Sequence, residues 1–279
     1  MPYAFTTKSD GVGLYYTDSK PGDARPEIVL LHGWSGSHRM FDLQMPDLTA
    51  RCRVIAPDLR FHGGSDKPAW GFHVARLAAD LHELLAHLNL AAPTLVGCSL
   101  GAAVIWSYVE LYGCENVGKL VFVDQAPSQW RMDDWALCSK GIYDAPSLAK
   151  IQKALRDGLA AFADGNAECC LTKRVPAQML ATLKSETERC DAHQLGKLMA
   201  DHACKDWRPL LPRIKVPVLN LYGTCSGCFP QEGCAAVGDA IGDNARNVPF
   251  EGCNHWLYME EPVRFNQLLI EFVFEPPSE

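Results

Sequence analysis

The sequence predicts an open, mostly parallel α/β sheet with helices on both faces and one inserted helical region. Short apolar runs alternate with longer stretches of helical period, as βα units do. The length of 279 residues suits a single large sheet-based domain. From residue 128 to residue 213 the strand signal lapses and amphipathic helical patterns take its place.

In chain order, strands are expected over Tyr3–Thr7, Gly13–Thr17, Glu27–Leu31, Arg53–Ala56, Thr94–Cys98, Lys119–Asp124, Val218–Tyr222 and Arg246–Phe250, the last six parallel. Helical patterns fall near His38–Thr49, Val74–Leu88, Leu100–Tyr112, Glu232–Ile241 and Pro262–Phe274, where Pro262 sits at an allowed early position. The insertion contains SLAKIQKALRDGLAAFA and VPAQMLATLKSETERC. It reads as a helical cap after the sixth strand, spanning 128–213, with residues 1–127 and 214–279 forming the core. Long excursions over a strand's carboxyl end usually cover a site, although helical packing alone would leave the same pattern.

Composition narrows the function. An apolar fraction of 48% with 21% charged residues is ordinary for a soluble globular chain. The net charge of -7 comes without a basic run, so nucleic acid and anionic membranes are poor partners and a small neutral or apolar substrate fits better. No stretch approaches the ~18 apolar residues of a membrane span, and residues 1–13 lack a basic region leading into an apolar one. A cytoplasmic location is expected, and with it reduced, mostly buried thiols among the 12 cysteines. Neither a cofactor nor an oligomeric state is indicated.

Three segments carry chemistry. Leu95-Val96-Gly97-Cys98-Ser99-Leu100-Gly101 is a G-x-S-x-G pentad between an apolar strand and a helical pattern, the context of a nucleophile elbow. Small residues at Gly97 and Gly101 permit a tight turn that thrusts Ser99 outward, while Cys98 should face the sheet as packing. Leu31-His32-Gly33-Trp34-Ser35-Gly36 follows the third strand and should supply an oxyanion hole, with the backbone amides of Trp34 and Leu100 as donors. His32 in that turn is expected to hold the loop. Phe250-Glu251-Gly252-Cys253-Asn254-His255-Trp256 follows the last strand. Of nine histidines, His82 and His87 fall on a helix, His193 and His202 in the insertion and His62 in an early turn; His255 alone stands in the loop after the last strand, where a base should be.

Together with the turn Asp58-Leu59-Arg60-Phe61-His62-Gly63-Gly64-Ser65, these motifs resemble the α/β-hydrolase superfamily over nearly the whole chain outside the insertion. The resemblance implies a serine hydrolase using Ser99, His255 and an acid. In most members the acid lies three residues beyond the glycine that closes Val218-Leu219-Asn220-Leu221-Tyr222-Gly223, and here that position is Ser226. Serine cannot stabilise an imidazolium, so Asp124, at the end of the preceding strand, is the preferred acid. A turn-capping role for Asp124 would leave Glu232, then Asp239, as substitutes.

The expected reaction is hydrolysis of a carboxylic ester or lactone through an acyl-enzyme, with no cofactor. The resemblance leaves open a cofactor-independent dioxygenase built on His255 and Asp124, and a ligand-binding protein on the same scaffold. Trp34, Trp130, Trp135, Ile142, Tyr143, Met179 and Leu180 are candidate pocket residues. Cys225-Ser226-Gly227-Cys228 invites a metal or redox reading, but the sequence offers no second pair of matching spacing, so no metal is expected.

Overall fold

Alternation along the strands sorts the core into two layers, one on each side of the sheet. The computed structural model describes residues 2–20 and 25–276. Its strands are β1 (Pro2–Thr6), β2 (Gly13–Asp18), β3 (Glu27–Leu31), β4 (Arg53–Pro57), β5 (Thr94–Cys98), β6 (Lys119–Val123), β7 (Val218–Gly223) and β8 (Ala245–Phe250). They form one sheet in the order β1-β2-β4-β3-β5-β6-β7-β8. β1 and β2 pair antiparallel, β2 meets β4 antiparallel, and every pairing from β4 to β8 is parallel.

Helices cover both faces. Val29, Leu31, Leu95, Leu120 and Phe122 pack against α2 (Val74–His87), α3 (Leu100–Tyr112) and α8 (Gln231–Ile241). Their neighbours Ile28, Leu30, Val96, Val121 and Val123 pack on the other side with Leu48 of α1 (Met45–Arg51) and Phe265, Leu269 and Phe272 of α10 (Pro262–Phe274). Period-two alternation thus sends each strand's apolar groups to both layers, which is why these strands read as continuous apolar runs.

Between β6 and β7 the chain forms α4 (Ala145–Asp157), α5 (Leu159–Cys170), α6 (Ala177–Glu188) and α7 (Ala192–Ala203). α4 packs on α7, and α5 on α6. Hydrogen bonds moor them to the sheet's loops: Trp34 Nε1 donates to the Leu195 carbonyl at 3.1 Å, Thr187 Oγ1 to the Ser35 carbonyl at 3.1 Å, and the Val74 amide to Asp201 at 2.8 Å. A short helix α9 (Leu257–Glu260) precedes α10.

Three expectations need correction. The helical pattern near His38–Thr49 is a 3-10 turn, His38–Phe41, followed by α1 as a separate helix. Pro46 lies in the first turn of α1, where a missing N–H costs nothing, and so starts a helix there. The long pattern opening at Ser147 is divided at Gly158, which ends α4 and begins α5. The sixth strand stops at Val123, because Asp124 turns out of it with φ of 47°.

Candidate active site

The elbow is tight because two glycines let three chain segments touch. A Cβ on Gly97 would lie 2.4 Å from the Gly101 carbonyl carbon, and one on Gly101 would lie 2.3 Å from the Leu31 carbonyl oxygen. No side chain fits either gap. Between them Ser99 has φ of 53° and ψ of -116°, outside the regions an L-residue favours, and the strain is held by the β5–α3 junction. Cys98 faces the sheet, as expected, and burial pushes its thiol up to about 11, so it is packing and not a nucleophile.

Beside the elbow runs the loop after β3. A Cβ on Gly33 would stand 3.5 Å from the Ser99 Cβ, which puts the Trp34 amide near the serine. Leu100 opens α3, so its amide belongs to the first-turn N–H groups that have no acceptor within the helix. His32 holds the loop: its Nε2 accepts from the Leu59 amide at 3.0 Å, and Nδ1 lies 2.7 Å from the Gly33 carbonyl. His62 does the same from the other side, accepting from the Ser35 amide at 3.2 Å. Both imidazoles are fully buried and burial lowers their pKa, to about 3 for His62.

His255 follows β8 and is 5% exposed. Its Nδ1 lies 2.6 Å from Asp124 Oδ2, and Asp124 is wholly buried. Asp124 Oδ1 accepts from the Gly223 amide at 2.9 Å, and Oδ2 also accepts from the Ser226 hydroxyl at 2.6 Å. Ser226, at the position where the superfamily pattern expects an acid, therefore braces the Asp124 carboxylate. The left-handed φ of Asp124 points its carboxyl across the end of β7 toward the histidine, a conformation Asp adopts more easily than most residues. Burial opposes a charged His255, but Cys228 and the Asp124 carboxylate outweigh it and hold the pKa well above the ordinary histidine value. Glu232 and Asp239 are exposed and reach other partners, Gln231 and Asn247.

A cavity of about 740 Å³ joins these groups. Ser99, His255, Gly33 and Trp34 line it from the sheet side, while Ile151, Phe162, Met199 and His202 line it from the insertion. The Ser99 hydroxyl makes no hydrogen bond to another described residue and opens to this space; serine–histidine contacts often tighten only when substrate binds.

Of the candidate pocket residues, Trp34 and Ile142 line the cavity. Trp130, Trp135, Tyr143, Met179 and Leu180 do not. The loop from 128 to 143 folds back on itself: Trp135 donates to the Ser128 carbonyl and lies under Arg208, and Tyr143 lies under Arg131. Trp130 packs beside Ile142 and Met199 from behind, and Met179 and Leu180 belong to the α1/α10 layer. Sequence reading missed Phe162, Met199, His202 and Gln129 in the lining, because helical period gives no sign of which insertion face meets the sheet. It singled out Cys228 only as half of a CxxC pair and missed Cys170; both stand beside His255, from segments 58 residues apart.

A mostly parallel sheet with a strained serine at one strand end and a His–Asp pair beyond the ends of other strands defines an α/β protein whose candidate site lies at the carboxyl edge of its strands. A family model of the alpha/beta hydrolase fold matches residues 26–262, and the chain belongs to that family. It is similar to an AB hydrolase superfamily protein of Bacillus subtilis, 29% identical over 254 residues that cover 90% of this chain and 92% of the relative. A non-heme chloroperoxidase of Streptomyces lividans is 29% identical over 96% of this chain and 98% of its own length. Among solved structures, an esterase from Exiguobacterium antarcticum superposes with a TM-score of 0.91 over 99% of this chain and 100% of its own, at 24% identity, a likeness of fold. Among the described residues no helix is long and apolar enough to cross a membrane.

Proposed function

We propose that this protein is a serine hydrolase that cleaves a carboxylic ester or lactone, with Ser99 as nucleophile, His255 as general base and Asp124 as the acid of the triad. The observation that carries the reading is the 2.6 Å contact between His255 Nδ1 and a fully buried Asp124, on the wall of the cavity into which the elbow serine opens. With Nδ1 committed to Asp124, Nε2 is left to take the Ser99 proton as Oγ attacks the acyl carbon. Negative charge then develops on the carbonyl oxygen, where the amides of Trp34 and Leu100 stabilise it. His255 returns the proton to the departing alkoxide, and water, activated by the same imidazole, releases the acid and restores Ser99.

Residues 128–213 act as a cap in this reading, since α4, α5 and α7 supply the distal wall. Trp34 from the sheet side and Ile142, Ile151, Phe162 and Met199 from the insertion make the lining apolar, which suits an uncharged acyl or alcohol group of modest size. The likeness to a chloroperoxidase along nearly its whole length favours a second use of the acyl-enzyme: hydrogen peroxide in place of water would give a peracid and free serine.

The test is turnover of p-nitrophenyl acetate and butyrate by the parent chain and by Ser99→Ala, with labelling by a fluorophosphonate. The expected results are a loss of about a thousandfold or more in Ser99→Ala and stoichiometric label on Ser99. A parent that is neither labelled nor active, or a Ser99→Ala variant that keeps its rate, would overturn the proposal.

A further inference from the structure

Three ligand-bearing side chains converge on the cavity face of the histidine that the proposed hydrolysis uses. The ligand atoms of Cys170, Cys228 and His255 all lie within 4.8 Å of one another, and the two sulfurs are 3.8 Å apart. Two ~2.3 Å zinc–sulfur bonds at a tetrahedral angle place their sulfurs ~3.8 Å apart, and a ~2.05 Å zinc–nitrogen bond puts that nitrogen ~3.5 Å from each sulfur. A disulfide would need the same sulfurs at ~2.05 Å, so the existing separation matches a shared metal and not a bond between them.

The cluster is also held in place. Cys170 ends α5, and its carbonyl accepts from the Trp256 amide at 3.2 Å, tying it to the His255 loop. The loop carrying Cys228 presses on the same helix end at Gly227, where a Cβ would sit 2.1 Å from the Cys169 carbonyl oxygen. Asn254 Oδ1 accepts from both the Gly227 and His255 amides at 2.7 Å, joining the two loops. His255 Nδ1 is engaged by Asp124, which leaves Nε2 as the nitrogen available to a metal, and a carboxylate behind a metal-binding imidazole is the usual supporting arrangement.

We propose that Cys170, Cys228 and His255 Nε2 form a binding site for a thiophilic divalent cation of the zinc type, and that its occupancy shuts off the hydrolase. The site has three protein ligands, with the fourth position open to water from the cavity. Binding displaces to solvent the protons that the two thiols and the imidazole carry and transfers no electrons, leaving two thiolates and a neutral imidazole around the ion. The inhibition rests on the proposed role of His255 as base: an imidazole whose Nε2 lone pair is held by a metal cannot accept the Ser99 proton. The CxxC pair noted in the sequence contributes one thiol only. Cys225 is exposed and stays outside the cluster, and the second sulfur comes from the insertion.

The test uses the full chain, reduced and freed of metal. Cadmium is titrated while the ultraviolet thiolate-to-metal charge-transfer band is followed, and zinc is titrated against p-nitrophenyl acetate turnover. The expected results are a band saturating at one cadmium per chain, and inhibition by zinc that EDTA reverses. Cys170→Ser and Cys228→Ser, each normalised to its own metal-free rate, should need at least about tenfold more zinc for the same inhibition. Cys225→Ser should respond like the parent in both measurements. Absence of the band, equal zinc sensitivity in all variants, or activation by zinc would overturn the site or its inhibitory role. If the metal-free parent shows no esterase activity, the hydrolase reading and the inhibitory role resting on it fail, while the cadmium band still decides whether the site exists.

Discussion

Replacing Asp124 by asparagine removes one charge and, through hydrogen-bond direction, reverses the histidine. The Gly223 amide approaches one oxygen of the carboxylate at 2.9 Å and can only donate, so the asparagine carbonyl must take that place. The amide nitrogen then occupies the position that now faces Ser226 and His255, both at 2.6 Å. Ser226 can turn its hydroxyl to accept, but Nδ1 can accept only by giving up its proton, which moves to Nε2. That tautomer cannot receive the Ser99 proton. The expected loss is about four orders of magnitude in kcat/KM, equivalent to ~5 kcal/mol of transition-state stabilisation. The assay is p-nitrophenyl acetate hydrolysis at mildly alkaline pH, with circular dichroism to verify folding. In the double variant Asp124→Asn with Ser226→Asp, a carboxylate returns at the superfamily's usual position and part of the loss should be recovered. A single Asp124→Asn variant within tenfold of the parent would refute the assignment of Asp124 as the orienting acid.

Other expectations follow from the same contacts. Because His255 is held above the ordinary histidine pKa, with Cys228 a leading cause, the acid limb of the kcat/KM profile should lie above pH 6.5 in EDTA-treated protein; Cys228→Ala should move it to lower pH, and an unmoved limb would refute that cause. Arg60 is fully buried between Asp80, at 2.7 Å, and Asp10, at 2.9 Å, so Arg60→Met should cost about 3–5 kcal/mol in urea unfolding, with Asp80→Asn in the same chain recovering much of it. His202 is buried with no partner for Nδ1 among the described residues, and burial lowers its pKa from 6.5 to about 4. The unfolded chain therefore takes up this proton first, so stability is retained above pH 6.5 and declines toward pH 4, by on the order of 3 kcal/mol. His202→Gln should flatten that decline in chemical denaturation measured across the window.

The sheet was legible because its signals are local. Apolar runs of strand length, each followed by a helical period, gave all eight strands to within a residue or two at each end, and the last six proved parallel. Ser99 was legible for a related reason: Gly97 and Gly101 record a steric requirement within five residues of chain. The helical period of the insertion was equally plain, but its faces were not. Trp130, Trp135 and Tyr143 have the chemistry of pocket residues, yet their loop turns them toward Arg208, Arg131 and the back of the wall.

What the tertiary structure alone decided is where segments distant in sequence meet. The sequence prefers Asp124 as the acid but leaves a turn cap open; its left-handed backbone and the brace from Ser226 direct it to His255 across 131 positions of chain. Cys228 reads as half of a CxxC motif, but the crossing of α5 over the β7–α8 loop pairs it with Cys170 instead of Cys225. Strands, elbows and helix starts follow from the short-range sterics and burial that a sequence writes directly. Partners across the cavity depend on how the insertion docks on the sheet, which many weak contacts determine jointly and no single motif encodes.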